Sequence, residues 1–311
     1  MTTKLRFFLL PISTRRTLIY CEHHAAPANL ASGQKPPISE RVVHKAATTW
    51  AAWEKADKGW QKQLTTYGNA FLRRIPYEEW GLKSIPPGTD KKLEEWTLRK
   101  DGNVPESKVV QCLYPGGFIA GDIAQTLRKL ATERQALHRR RLWTSIALMP
   151  VVAPFALVPI IPNIPFFYLC FRAYSHYKAW FGGKFLEHLD KQGIIRPEPC
   201  ARLEELYAAS FLHPTLPNGQ NPPAIQLQEV EAVKSDLKTN SEEVMLLRPW
   251  SARVLAEHYA VPEMQVEIER AVDQVEAAIK KEKNEAAKST SASVTEKLKN
   301  EVDVKTGEVK R

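Results

Sequence analysis

The chain has only four cysteines in 311 residues, Cys21, Cys112, Cys170 and Cys200. None forms a CxxC pair and no spacing fits a zinc module, which excludes a disulfide framework and a zinc ribbon and leaves four separate reduced thiols. No G-x-G-x-x-G is present, and Gly116, Gly117 and Gly121 lack the Lys-Ser/Thr that would complete a P-loop, so no nucleotide is expected. No G-x-S-x-G context surrounds Ser13. His23 and His24 beside Cys21 and Glu22 are metal-ligand types, but consecutive strand positions splay to opposite faces. Basic and aromatic residues do not interleave as in a nucleic-acid surface. The expectation is therefore no catalytic, cofactor-binding or metal-binding residue, no nucleic-acid partner and no enzyme.

Two local absences of charge carry more. No acid precedes Glu22, while Lys4, Arg6, Arg15 and Arg16 are already present, as in a mitochondrial presequence. Phe7–Ile12 and Thr17–Cys21 nevertheless read as two strands around a Ser13–Arg16 turn, so removable signal and folded hairpin both remain open. The second absence spans Leu142 to Phe171, LWTSIALMPVVAPFALVPIIPNIPFFYLCF, thirty positions without a charged side chain. A run longer than about 18 apolar residues is a membrane-span candidate. A soluble core helix would not carry Pro150, Pro154, Pro159, Pro162 and Pro165.

Two geometries compete for this segment. One is a single span from Leu142 to about Ile161. The other is a helical hairpin turning at Pro159–Pro165, where Asn163 supplies turn chemistry. Arg139, Arg140 and Arg141 precede the segment, and Arg172, Lys178 and Lys184 follow it. Two basic flanks favour a hairpin with both ends on the matrix side. Just beyond the segment, Arg172 and His176 stand four apart and share a helix face. They read either as part of an interfacial belt of aromatics and cations, or as an ion- or proton-handling pair. The net charge of +9 fits an anionic membrane surface once this distribution is considered.

Elsewhere the pattern is mainly helical. Val42, Ala46, Trp50, Trp53, Trp60, Leu64, Tyr67 and Phe71 make one apolar stripe, read as the buried face of a helix. Lys108–Tyr114 reads as a short strand, and a helix follows Pro115-Gly116-Gly117. Prolines and glycines from Gly193 to Pro223 frame a short helix at about 201–211. Val261, Ile268 and Val275 fall seven apart on a helix that packs on the protein itself, and from Glu282 the Lys/Glu/Ala/Ser-rich sequence lacks core residues.

The expected architecture is mainly α with a short N-terminal β element, anchored in a membrane by the Pro-rich segment. Its parts are an N-terminal hairpin (1–24), a mainly helical matrix-side domain (25–141), the membrane segment (142–181), a C-terminal helical domain (182–281) and a disordered charged tail (282–311).

FFLLPISTRRTLIYC at Phe7–Cys21, the block from Arg140 to Phe185 with PIIPNIPFFYLCFRAYSHYKAW and its Gly-Gly, and LLRPWSARVLAEHY with ERAVDQ further on carry a resemblance. In these segments the chain resembles the mitochondrial K+–H+ exchange-related family, discontinuously over about residues 5–280. The resemblance implies a protein of the inner mitochondrial membrane linked to potassium–proton exchange and matrix volume. Implied partners are the lipid bilayer, other inner-membrane proteins and further copies of the chain. The family supplies no agreed ion-binding residues to transfer. The leading expectation is a component or assembly factor of an exchange system; the alternative is an inner-membrane scaffold without transport activity.

Overall fold

A computed structural model describes residues 5–23, 38–97, 104–119, 121–154, 164–217 and 219–308. Its centre is a four-stranded mixed sheet. Strands β1 (Leu5–Pro11) and β2 (Thr17–His23) form an antiparallel hairpin. Strand β3 (Val110–Tyr114) adds parallel to β1, and β4 (Ile195–Pro199) adds parallel to β3, giving the order β2-β1-β3-β4.

Both faces of the sheet are covered, which accounts for the unbroken apolar run of β1. Phe8, Leu10 and Ile12 point into a first core with Leu18 and Tyr20, while Phe7 and Leu9 point into a second core with Ile19, Cys21, Val110 and Cys112. A strand buried on both sides needs apolar residues at successive positions rather than alternate ones. The hairpin turn is closed by Ile12 and Ser13 N–H groups on the Arg16 carbonyl, at 2.8 and 3.1 Å. Strand β4 escapes sequence reading because Pro197 and Pro199 interrupt its pattern; it lies at the sheet edge, where proline is tolerated.

The first core is roofed by α8 (Ala201–Leu212), α9 (Leu227–Thr239), α10 (Pro249–Tyr259) and α11 (Pro262–Glu308). Val261, Met264, Ile268, Ala271, Val272 and Val275 make the buried stripe beginning just before α11. The same helix continues to Glu308, through most of the stretch expected to be a disordered charged tail. Its Ala, Glu and Lys content has high helix propensity without any core, and Lys281–Glu285 adds a pair one turn apart at 3.8 Å.

The second core is built from α3 (Tyr77–Ser84), α5 (Ile123–Thr132) and α7 (Ile164–Lys191), with α4 (Asp90–Glu95) alongside and α6 (Gln135–Val152) packed on α7. Helices α1 (Ile38–Glu54) and α2 (Trp60–Arg73) replace the single long helix suggested by the aromatic stripe. Of that stripe, Trp60, Tyr67 and Phe71 are exposed rather than buried.

The expected membrane hairpin is overturned. No helix among the described residues is long and apolar enough to cross a membrane. The uncharged run is divided: α6 takes Leu142–Val152, α7 takes Ile164–Phe171, and residues 155–163 lie outside the described set, Pro159 and Asn163 among them. Those uncharged arms reach only roughly 16 and 12 Å at 1.5 Å per residue, against a hydrocarbon core of about 30 Å. The remainder of α7 is a core helix, with Ala179, Phe185, Leu186 and Leu189 fully buried. Pro165 falls in the first turn of α7, where a missing N–H costs little, whereas Pro150 lies inside α6 near its end and removes one intrahelical hydrogen bond. The expected short β element is likewise enlarged, since β3 and β4 extend the hairpin into a mixed sheet.

Candidate functional site

Helix α3 is clamped between the sheet and α7. Ser84 Oγ accepts from Cys21 N–H at 2.8 Å and donates to the Gly81 carbonyl at 2.6 Å. A Cβ at Gly81 would stand 2.5 Å from the Ile19 carbonyl, and one at Gly182 would stand 2.2 Å from the Leu82 carbonyl. Glycine at these two positions is what lets the three backbones approach. Gln274 of α11 pins the entry to α3: its Oε1 accepts from Tyr77 N–H at 2.9 Å, and its Nε2 donates to the Arg73 and Ile75 carbonyls at 2.8 Å each.

This placement drives Glu79 into the interface of α3, α6 and α7. Glu79 is 1% exposed, His138 1%, His176 2% and Ser175 0%. Arg172, Ser175 and His176 occupy one face of α7 by their spacing of three and four. Arg172 holds the Glu79 carboxylate with both terminal nitrogens, Nη1 to Oε1 at 2.8 Å and Nη2 to Oε2 at 3.1 Å. Ser175 Oγ donates to Oε1 at 2.6 Å. Arg172 Nη2 also reaches His176 Nε2 at 2.9 Å, and the His176 and His138 Nδ1 atoms face each other at 3.1 Å.

The protonation states follow from these contacts. Burial alone would raise the Glu79 pKa, but the hydrogen bonds from Ser175 and Arg172 and the adjacent Arg172 charge hold it below its ordinary value. Burial pushes both His138 and His176 down to about 4, against the opposing pull of Glu79 and with the help of Arg172. Both rings are therefore neutral near pH 7, and the 3.7 Å approach of His176 Nδ1 to Glu79 is no ion pair there. Arg172 can only donate, so His176 Nε2 is an acceptor and its proton sits on Nδ1. That proton faces His138 Nδ1, which must then accept, placing the His138 proton on Nε2. His138 Nε2 is buried and has no protein partner among the described residues.

A second charged group abuts the first. Lys83 Nζ lies 3.3 Å from the centroid of the Trp80 ring, and Arg270 Cζ lies 4.3 Å from the same centroid. Burial lowers the Lys83 pKa to about 8 despite the nearby Glu79 and Glu267. Arg270 pairs with Glu267 on α11.

Of the residues singled out from sequence, Arg172 and His176 meet each other directly, inside the protein rather than at its surface. Arg139, Arg140 and Arg141 are exposed on α6, as are Pro150, Pro154 and Pro165; Leu142 is buried and Phe171 half-buried. Glu79, His138 and Ser175 were not legible, since Glu79 and Ser175 lie 96 positions apart and His138 and His176 lie 38 apart. Glu79, His138 and His176 bring donor atoms within 4.8 Å of one another and are the residues here that could hold a metal. Cys21 and Cys112 both flank Phe7, on opposite sides of β1. Two strand spacings, about 10 Å, separate them, too far for a disulfide.

Comparison with known proteins gives this geometry a family. The chain is 27% identical over 201 residues to an uncharacterized protein of Schizosaccharomyces pombe, covering 65% of this chain and 82% of that one. It is 30% identical over 200 residues to an uncharacterized protein of Saccharomyces cerevisiae, covering 58% of this chain and 61% of that one. No solved structure matches it. The family model described as mitochondrial K+–H+ exchange-related matches residues 6–190, which include three of the four strands and every member of the Glu79 cluster, and the chain belongs to that family.

Proposed function

We propose that the chain is a component or assembly factor of a mitochondrial inner-membrane potassium–proton exchange system, supporting matrix cation and volume homeostasis. The family match over residues 6–190 carries this reading. The protein works at the matrix face through partners, as neither an enzyme nor a self-contained transporter. In support, no described helix could line a transmembrane ion path by itself. Helices α6 and α7 also expose Trp143, Val151 and Phe167, each more than 60% accessible. Phe71 of α2 joins this surface by an edge contact to Tyr168, with ring centroids 6.2 Å apart. Exposed apolar side chains of this kind mark a site of association, and here the occupant is an inner-membrane protein of the exchange system.

The test is potassium-driven swelling of mitochondria from cells lacking the protein, with and without the wild-type chain restored. Loss of swelling, restored by the chain, supports the reading; normal swelling in its absence overturns it. Reconstitution of the purified chain in liposomes with a K+ gradient and a pH dye separates the roles. Exchange by the chain alone would make it a transporter. The scaffold alternative, favoured by the same exposed apolar side chains, predicts loss of partner proteins from the membrane with no change in exchange per remaining complex.

A further inference from the structure

We propose that Glu79, His138 and His176 form a binding site for one divalent first-row transition-metal ion of the zinc type. His138 Nδ1, His176 Nδ1 and Glu79 Oε2 converge on one space, and once the His176 proton moves from Nδ1 to Nε2 each of the three atoms presents a lone pair to it. Two imidazole nitrogens 3.1 Å apart and a carboxylate oxygen 3.7 Å from one of them approach the edges of a metal polyhedron. Ligands at about 2.0–2.1 Å from a tetrahedral ion stand roughly 3.3 Å from one another. A cation in that space would take a lone pair from all three atoms at once.

The donor set selects the ion. Two imidazoles and one carboxylate suit Zn2+, Co2+ and their neighbours, whereas Mg2+ and Ca2+ prefer oxygen throughout. Ligation at Nδ1 moves the His176 proton to Nε2. Arg172 Nη2, which can only donate, then turns from Nε2 and remains on Glu79, which it already holds through both terminal nitrogens. Arg172 thus competes with the metal twice, by occupying the imidazole in the metal-free form and by neutralising the carboxylate. The ion would join α3, α6 and α7 at one point, a role independent of the exchange reading.

The experiment uses the purified full chain, stripped with chelator and titrated with Co2+ followed by Zn2+. The expected result is one equivalent of Co2+ with nitrogen–oxygen ligand-field bands, displaced by one equivalent of Zn2+. His138→Phe should weaken binding by at least about 10-fold while far-UV circular dichroism is unchanged. Should that variant not fold, His176→Gln supplies the same comparison. Arg172→Met should tighten binding, and His258→Ala, on the exposed face of α10, should leave it unchanged. A wild-type chain that takes up no Co2+ overturns the assignment without any variant. So does a thiolate-to-cobalt charge-transfer band, or binding unaffected by His138→Phe.

Discussion

Glu79 of α3 and Arg172 of α7 form a two-pronged ion pair across 93 positions of sequence, at 2.8 and 3.1 Å, with the carboxylate 1% exposed and the guanidinium side chain 11% exposed. Removing one partner leaves the other charge buried. Arg172→Met alone should therefore destabilise the fold by about 3–5 kcal/mol. The double variant Arg172→Met/Glu79→Leu should recover most of that loss, because it removes both desolvation penalties. Urea unfolding of the two singles and the double closes the cycle. Additive losses in the double would show that the pair is not coupled.

The sequence displayed what is local and hid what is distant. The β1–β2 hairpin can be read because both strands and the turn lie within about twenty consecutive residues, and its doubly apolar character reports burial on both faces. The apolar run from Leu142 to Phe171 misled for a physical reason. Lack of charge measures apolarity along the chain, whereas a helical membrane span requires that apolarity in one unbroken helix. Here the run is shared between the ends of α6 and α7. The pairing of Arg172 with His176 was legible from their spacing of four. The carboxylate that decides their chemistry was not, since Glu79 sits amid an ordinary polar stretch, YEEWGLKS, with no local sign that one of its two glutamates is buried.

Gly182 should tolerate no side chain. A Cβ there meets the Leu82 carbonyl at 2.2 Å, a backbone atom that cannot turn aside. Gly182→Ala should push α7 from α3 and cost about 1–3 kcal/mol, although alanine is the better helix former by about 1 kcal/mol. Thermal unfolding measures it. A gain in stability would mean that the two helices stand farther apart than described.

The thiols should divide into two classes. Cys21 and Cys112 are buried beside β1, and burial raises both pKa values, that of Cys112 to about 12. Cys170 and Cys200 are only half-buried. Timed alkylation at pH 8, read by mass spectrometry, should label Cys170 and Cys200 first. Cys21 and Cys112 should react only on the timescale of unfolding, since the thiolate is the reactive form. Equal labelling rates at all four would contradict the two-sided burial of the sheet.

Lys83 should make the stability of the protein depend on alkaline pH in a particular direction. Burial lowers its pKa in the fold from 10.5 to about 8. Between those values the unfolded chain holds the proton and the folded chain does not, so the Lys83 contribution raises stability as pH rises through this window. Below about pH 8 both states are charged, and the penalty for burying the ammonium is present in full. The comparison with Lys83→Met isolates this effect from the thiols and tyrosines, whose raised pKa values act oppositely in the same range. Methionine also forfeits the contact with the Trp80 ring, a loss that applies only while lysine is charged. Changes in unfolding free energy, measured in urea from pH 7 to pH 10, should move in favour of the wild type as pH rises. A difference between wild type and variant that stays constant across this range would mean that Lys83 keeps an ordinary pKa in the fold, and that the Trp80 ring, with Glu79 and Glu267 nearby, offsets the cost of its burial.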